Sequence, residues 1–124
     1  MTKFLIIGLG GFLGANARYL VGGWVAERLG STFPYGTLII NVSGAFVIGL
    51  FLTLIADRFV APPSARLFFA IGFLGAYTTF STYMFESLSL IQEGSYLLAA
   101  TNLLGSVALG LFAVVLGYAV GRLI

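Results

Sequence analysis

The sequence predicts an all-α membrane protein of four transmembrane helices, the third broken near its centre. Three observations predict it. Hydrophobic residues fill 60% of the 124 positions and charged residues 8%, against roughly 25% charged in a soluble domain. The apolar residues form four stretches of spanning length, each bounded by charges or turn residues. A run of glycine and hydroxyl residues interrupts the third stretch. One four-helix domain over residues 1–124 is expected, with helices at about 4–25, 36–56, 66–92 and 95–121. Each span needs about 20 apolar residues, so four spans use nearly the whole chain.

The first stretch, Phe4 to Val25, lies between Lys3 and the pair Glu27-Arg28. It is too long for a signal-peptide core and lacks a small-residue cleavage site, so it reads as a membrane helix. Gly30 to Gly36 turn the chain. The second stretch closes at Asp57-Arg58, and Pro62-Pro63 bar its continuation. The third, Arg66 to Gln92, exceeds a plain span. Glu93-Gly94-Ser95 turn the chain into the fourth, which ends at Arg122. In lipid, a helix satisfies its own backbone, and no period-two alternation suggests a barrel.

Within the third stretch, Gly72 and Gly75 precede Thr78, Thr79, Ser81 and Thr82. Glycine weakens a helix, and hydroxyls can satisfy backbone groups that a break frees. A discontinuous helix presents bare carbonyls to cations and N-termini to anions. The alternative is an intact helix whose hydroxyls bond back to the preceding turn. Small residues four apart, at Gly10/Gly14, Ser106/Gly110 and Gly117/Gly121, let helices approach closely, within one subunit or between two.

The chain has no His and no Cys, which excludes imidazole acid–base chemistry, a thiol nucleophile and a Cys/His metal site. No nucleophile stands beside a base, so an enzyme is not expected. The scattered charges, net +2, leave no nucleic-acid footprint. Few polar residues remain to carry function. Arg18 lies two turns before the first stretch ends; it either snorkels to the interface or lines an aqueous vestibule that attracts anions. Thr37 and Asn41 share one helix face. Asn41 either bridges helices or donates an N–H to a passing ion. Phe80 and Tyr83 also share a face, as packing or as ring edges carrying positive charge toward an anion. Glu86 reads equally as a gate, a proton site or an end-of-helix residue.

The ordered set Gly14-Ala15-x-x-Arg18-Tyr19, Gly36-Thr37-Leu38-x-x-Asn41 and Gly72-Phe73-Leu74-Gly75-x-x-Thr78-Thr79-Phe80-Ser81-Thr82 resembles the Fluc (CrcB) fluoride channel family over the whole chain. The resemblance implies a passive, fluoride-selective channel that lets fluoride leave the cytoplasm across the bacterial inner membrane. It also implies an antiparallel, dual-topology homodimer with two pores. Carried over, Phe80 and Tyr83 supply ring edges, Asn41 an amide N–H, Ser81 and Thr82 hydroxyls, and Arg18 a place near the aqueous mouth. A structural sodium ion, not transported, would take the backbone carbonyls of Gly75 and Thr78 from both subunits.

The chain departs from the family at Tyr83, where Phe is usual, and at Gly110 and Val114, which align with two hydroxyl residues along the pore. Charge adds a second departure. With four spans, one side holds Lys3, Arg58, Arg66 and Arg122, and the other holds Arg28, with Arg18 if it snorkels. That bias favours cytoplasmic termini, whereas a dual-topology subunit should show little. The alternative is therefore one subunit of an obligate heterodimeric channel with a partly degenerate pore. A proton-coupled exporter needs a membrane-embedded acid, and Glu86, toward a helix end, is its one candidate.

Overall fold

A computed structural model describes residues 1–124, and it is all-helical. Helix α1 is Thr2–Leu29 and α2 is Tyr35–Asp57. Helix α3 covers residues 63–77 in three parts: an α-turn at Pro63–Ala65, a wider π-helical stretch at Arg66–Leu74, and an α-turn at Gly75–Tyr77. Helix α4 is Phe80–Gln92 and α5 is Tyr96–Leu123. With α3 and α4 taken together, four helices are long and apolar enough to cross a membrane.

The end signals act as their chemistry dictates. Gly30 ends α1 at φ 79° and Gly94 turns α4 into α5 at φ 82°, a region that costs glycine nothing. Pro63 opens α3 at a position where the missing N–H would be unpaired anyway. Helices α1 and α5 each run 28 residues, about 42 Å at 1.5 Å per residue. Both extend beyond the apolar stretches because their charged ends continue the helix into the interface.

The third span is broken at Thr78 and Thr79. Both have extended backbones, φ −83°, ψ 158° and φ −149°, ψ 118°. The π-helical stretch ahead of the break has its own signature: the Gly75 N–H reaches back to the Ala70 carbonyl.

Two seams hold the bundle. Helix α1 packs along α3, and α2 along α5. Both are backbone-to-backbone contacts that only glycine permits. A Cβ on Gly10 or Gly14 would overlap the carbonyl of Phe68 or Phe73, and one on Gly117 would overlap that of Phe46. Two of the three small-residue pairs thus pack within the chain, while Gly110 faces open space. Only 20 of 124 residues are buried, so most of the apolar surface faces outward. Phe12, Leu20 and Phe112 stand exposed, as lipid-facing residues do. The chain is a multi-pass membrane protein.

Candidate functional site

The broken span separates two clefts. The larger, about 920 Å³, opens between α1, α2 and α4 and is lined by Arg18, Thr37, Thr79, Thr82 and Glu86 among others. The smaller, about 380 Å³, lies on the far side of the break, against Asn41, Gly75, Thr78, Phe80 and Tyr83. Thr79 borders both.

Helix α2 carries Asn41 to the break. Its Nδ2 donates to the Thr79 carbonyl at 2.9 Å, and the Thr79 N–H donates to its Oδ1 at 2.8 Å. The side-chain amide therefore pairs with a backbone residue as a neighbouring strand would. This pairing fixes which end of the amide is oxygen. Nδ2 carries two hydrogens, so one N–H remains for a ligand. One turn along α2, Gly44 makes room for the break: a Cβ there would overlap Thr78 Cγ2.

Thr79 also caps α4, its Oγ1 accepting the Thr82 N–H at 3.2 Å, which satisfies a donor left bare at a helix start. Thr78 ends α3. Its N–H and its Oγ1 both donate to the Leu74 carbonyl, at 3.1 and 2.9 Å. The break thus displays the carbonyls of Gly75 and Thr78 without their helical donors, since Thr79 and Thr82 direct their N–H groups to side chains.

The two aromatic rings meet edge to face, centroids 5.9 Å apart and planes at 73°. Phe80 is 72% exposed and Tyr83 only 8%. The Tyr83 hydroxyl donates to the Leu103 carbonyl on α5 at 2.5 Å. That bond turns the hydroxyl away from Phe80 and pins the ring.

In the larger cleft, Thr37 is buried, and Arg18 Nε and Glu86 Oε1 are buried without a hydrogen-bond partner. The cleft thus sets one guanidinium with a spare donor and the hydroxyl residues Thr37, Thr79 and Thr82 beside the carboxylates of Glu27, Glu86 and Glu93. Ser81 lies exposed on α4 and borders neither cleft. Val114 packs into the α2–α5 seam against Gly49, and nothing stands over Gly110.

Of the residues the sequence singled out, the fold brings Arg18, Thr37 and Thr82 to one cleft and Asn41, Gly75, Thr78, Phe80 and Tyr83 to the other. Thr79, singled out only as one hydroxyl of the run, borders both clefts and joins them. The signal for Thr79 was its place immediately before α4, a position where a hydroxyl residue caps. The fold also adds a polar cluster between α4 and α5. Buried Asn102 donates to Ser87 Oγ at 2.9 Å and accepts from Ser106 at 3.3 Å, and Ser87 donates to the Tyr83 carbonyl at 2.8 Å. The chain has no cluster of His, Cys, Asp or Glu that could hold a metal. A cation held at the break would rest on carbonyl oxygens, which suit a hard ion.

Known proteins resemble this chain over nearly its whole length. Residues 5–118 match the family model described as CrcB-like protein, Camphor Resistance (CrcB). A Fluoride-specific ion channel FluC of Acidobacterium capsulatum is 51% identical over 120 residues, covering 97% of this chain and 96% of the relative. The protein of the same name from Chloroflexus aurantiacus is 48% identical over 122 residues, covering 98% and 97%. That of Maridesulfovibrio salexigens is 44% identical over 124 residues, covering 100% and 98%.

Proposed function

The chain belongs to the CrcB family of fluoride-specific ion channels, and from that premise we propose that it is a passive, fluoride-selective channel of the bacterial inner membrane. It works as an antiparallel, dual-topology homodimer with two pores. The observation that carries this reading is the order of donors along the broken span: Arg18, Thr37 and Thr82 in one cleft, then Asn41, Phe80 and Tyr83 beyond Thr79.

Fluoride is small and strongly hydrated, so a path must replace its water donor by donor. Arg18 draws the anion into the larger cleft. The hydroxyls of Thr37 and Thr82 take over part of its hydration. At the break the free N–H of Asn41 follows. Beyond it, the edges of Phe80 and Tyr83 carry the positive end of the ring quadrupole. Phe80 stands exposed on a single chain, and a second subunit closes the path over it. Ser81 contributes its hydroxyl where that subunit packs against α4.

The break also suits a structural sodium ion. The carbonyls of Gly75 and Thr78, freed from their helical donors, would hold it together with the same pair from the second subunit. The ion supplies a fixed positive charge that ties the two breaks together and is not transported.

A second reading takes the chain as one half of a heterodimer. The charge bias favours it, and so does the absence of hydroxyls at Gly110 and Val114. One experiment separates the two. The chain is reconstituted in liposomes as the sole protein, and fluoride efflux is followed with an ion-selective electrode, with chloride as control. Fast fluoride efflux without chloride leakage supports the homodimer. Folded protein that conducts nothing until a homologous chain is added supports the heterodimer. Folded protein that conducts fluoride under neither condition contradicts both.

A further inference from the structure

In an unbroken α-helix the Thr79 N–H would bond the Gly75 carbonyl, and the Thr82 N–H would bond the Thr78 carbonyl. Here both donors go elsewhere. Asn41 Oδ1 takes the first at 2.8 Å and Thr79 Oγ1 takes the second at 3.2 Å. Two side-chain acceptors therefore bare two carbonyls, the same two that the sodium reading requires. The arrangement is held from several sides. Asn41 Nδ2 binds the Thr79 carbonyl at 2.9 Å, so the peptide cannot rotate back into the helix without losing two bonds. Thr78 spends its own hydroxyl on the Leu74 carbonyl, and Gly44 leaves the space in which Thr78 sits.

We propose that Asn41 and Thr79 form a brace that keeps the third span open and thereby sets the Gly75 and Thr78 carbonyls for a hard monovalent cation. Asn41 is then a positioning residue for the cation as well as a donor to the anion. Its two ends divide the work: Oδ1 serves the carbonyl site, and the free N–H of Nδ2 serves the fluoride path. The proposal rests on the sodium reading above, and it adds that one side chain couples the two ion sites.

The division can be separated by substitution. Asn41→Asp, kept neutral at low pH, retains an acceptor for the Thr79 N–H and an O–H donor for the Thr79 carbonyl, and lacks only the spare N–H. Asn41→Leu removes all of these. Thr79→Val removes only the hydroxyl that takes the Thr82 N–H and leaves the Asn41 amide in place. The readout is the thermal midpoint of the purified full-length protein, titrated with sodium chloride against N-methylglucamine chloride, beside fluoride efflux from liposomes. The wild type should gain stability with sodium. Asn41→Asp should keep that response at low pH, where its carboxyl is neutral, while losing fluoride flux, a split that general loosening would not produce. Asn41→Leu and Thr79→Val should need about tenfold more sodium or more, the equivalent of one lost hydrogen bond. Sodium curves for Asn41→Leu and Thr79→Val that superimpose on the wild type overturn the brace, as does loss of the response in neutral Asn41→Asp at low pH. If Asn41→Leu does not fold, Thr79→Val decides alone. A wild type blind to sodium overturns the sodium reading and the brace with it, and the wild-type curve tells the two failures apart.

Discussion

The Tyr83 hydroxyl donates to the Leu103 carbonyl across the α4–α5 hairpin at 2.5 Å. The phenol ring is thereby fixed with its edge-to-face partner Phe80 on one side and its polar end on the other. Tyr83, where the family resemblance leads one to expect Phe, thus spends its extra oxygen on a hydrogen bond between helices.

From this follows the first prediction. Tyr83→Phe should leave fluoride flux close to wild type, because the ring edge remains and the hydroxyl does not face the path. The Leu103 carbonyl keeps its helical donor, so the loss of stability should be small, about 0.6 kcal/mol for an interhelical bond in a membrane. Efflux and thermal unfolding of the variant check this. A large change of flux in either direction would place the hydroxyl in the path.

The proposed role of Arg18 is to draw the anion from a distance past the carboxylates of the same cleft, so its contribution should depend on salt. Arg18→Gln should slow fluoride efflux most at low ionic strength, where the screening length is about 30 Å at 0.01 M, and less at about 0.15 M, where it is about 8 Å. Efflux measured at the two ionic strengths gives the ratio. A deficit independent of salt would mean that Arg18 shapes the cleft and does not steer the anion.

The two kinds of glycine should separate cleanly. Gly14→Ala forces a Cβ into the Phe73 carbonyl, whereas Gly110→Ala meets nothing. The first should cost about 1–3 kcal/mol by overpacking a backbone seam. The second should be neutral, or slightly stabilising, because alanine prefers the helix. Thermal unfolding of both variants in the same detergent checks the contrast.

Much of this was legible in the sequence. The four spans follow from hydropathy and charge punctuation. Glycines followed by hydroxyls allow a break or an intact helix with back-bonded hydroxyls, and the fold has the break at Thr78 and Thr79. Individual pairings were not legible. Nothing in the spacing of Asn41 and Thr79 along the chain says that they meet, because the meeting depends on how α2 lies against α3. The polar cluster of Ser87, Asn102 and Ser106 was missed for the same reason: each looks like a single tolerated polar residue until α4 and α5 pack. The donor role of Ser81 comes from the family resemblance, and a single chain leaves its hydroxyl free for a second subunit. The helical turn that begins at Phe80 sends it to the outer face, away from both clefts.

The central claim is that fluoride passes the Asn41–Thr79 junction. The most direct test is fluoride efflux from liposomes carrying wild-type protein or Asn41→Leu at matched dimer content, with chloride retention followed in the same vesicles. The account predicts rapid fluoride loss with chloride retained in the wild type. It predicts efflux at least about tenfold slower in Asn41→Leu, as expected when a hydrogen bond to a charged ion is lost. Fluoride leaving Asn41→Leu vesicles as fast as wild-type ones would contradict it.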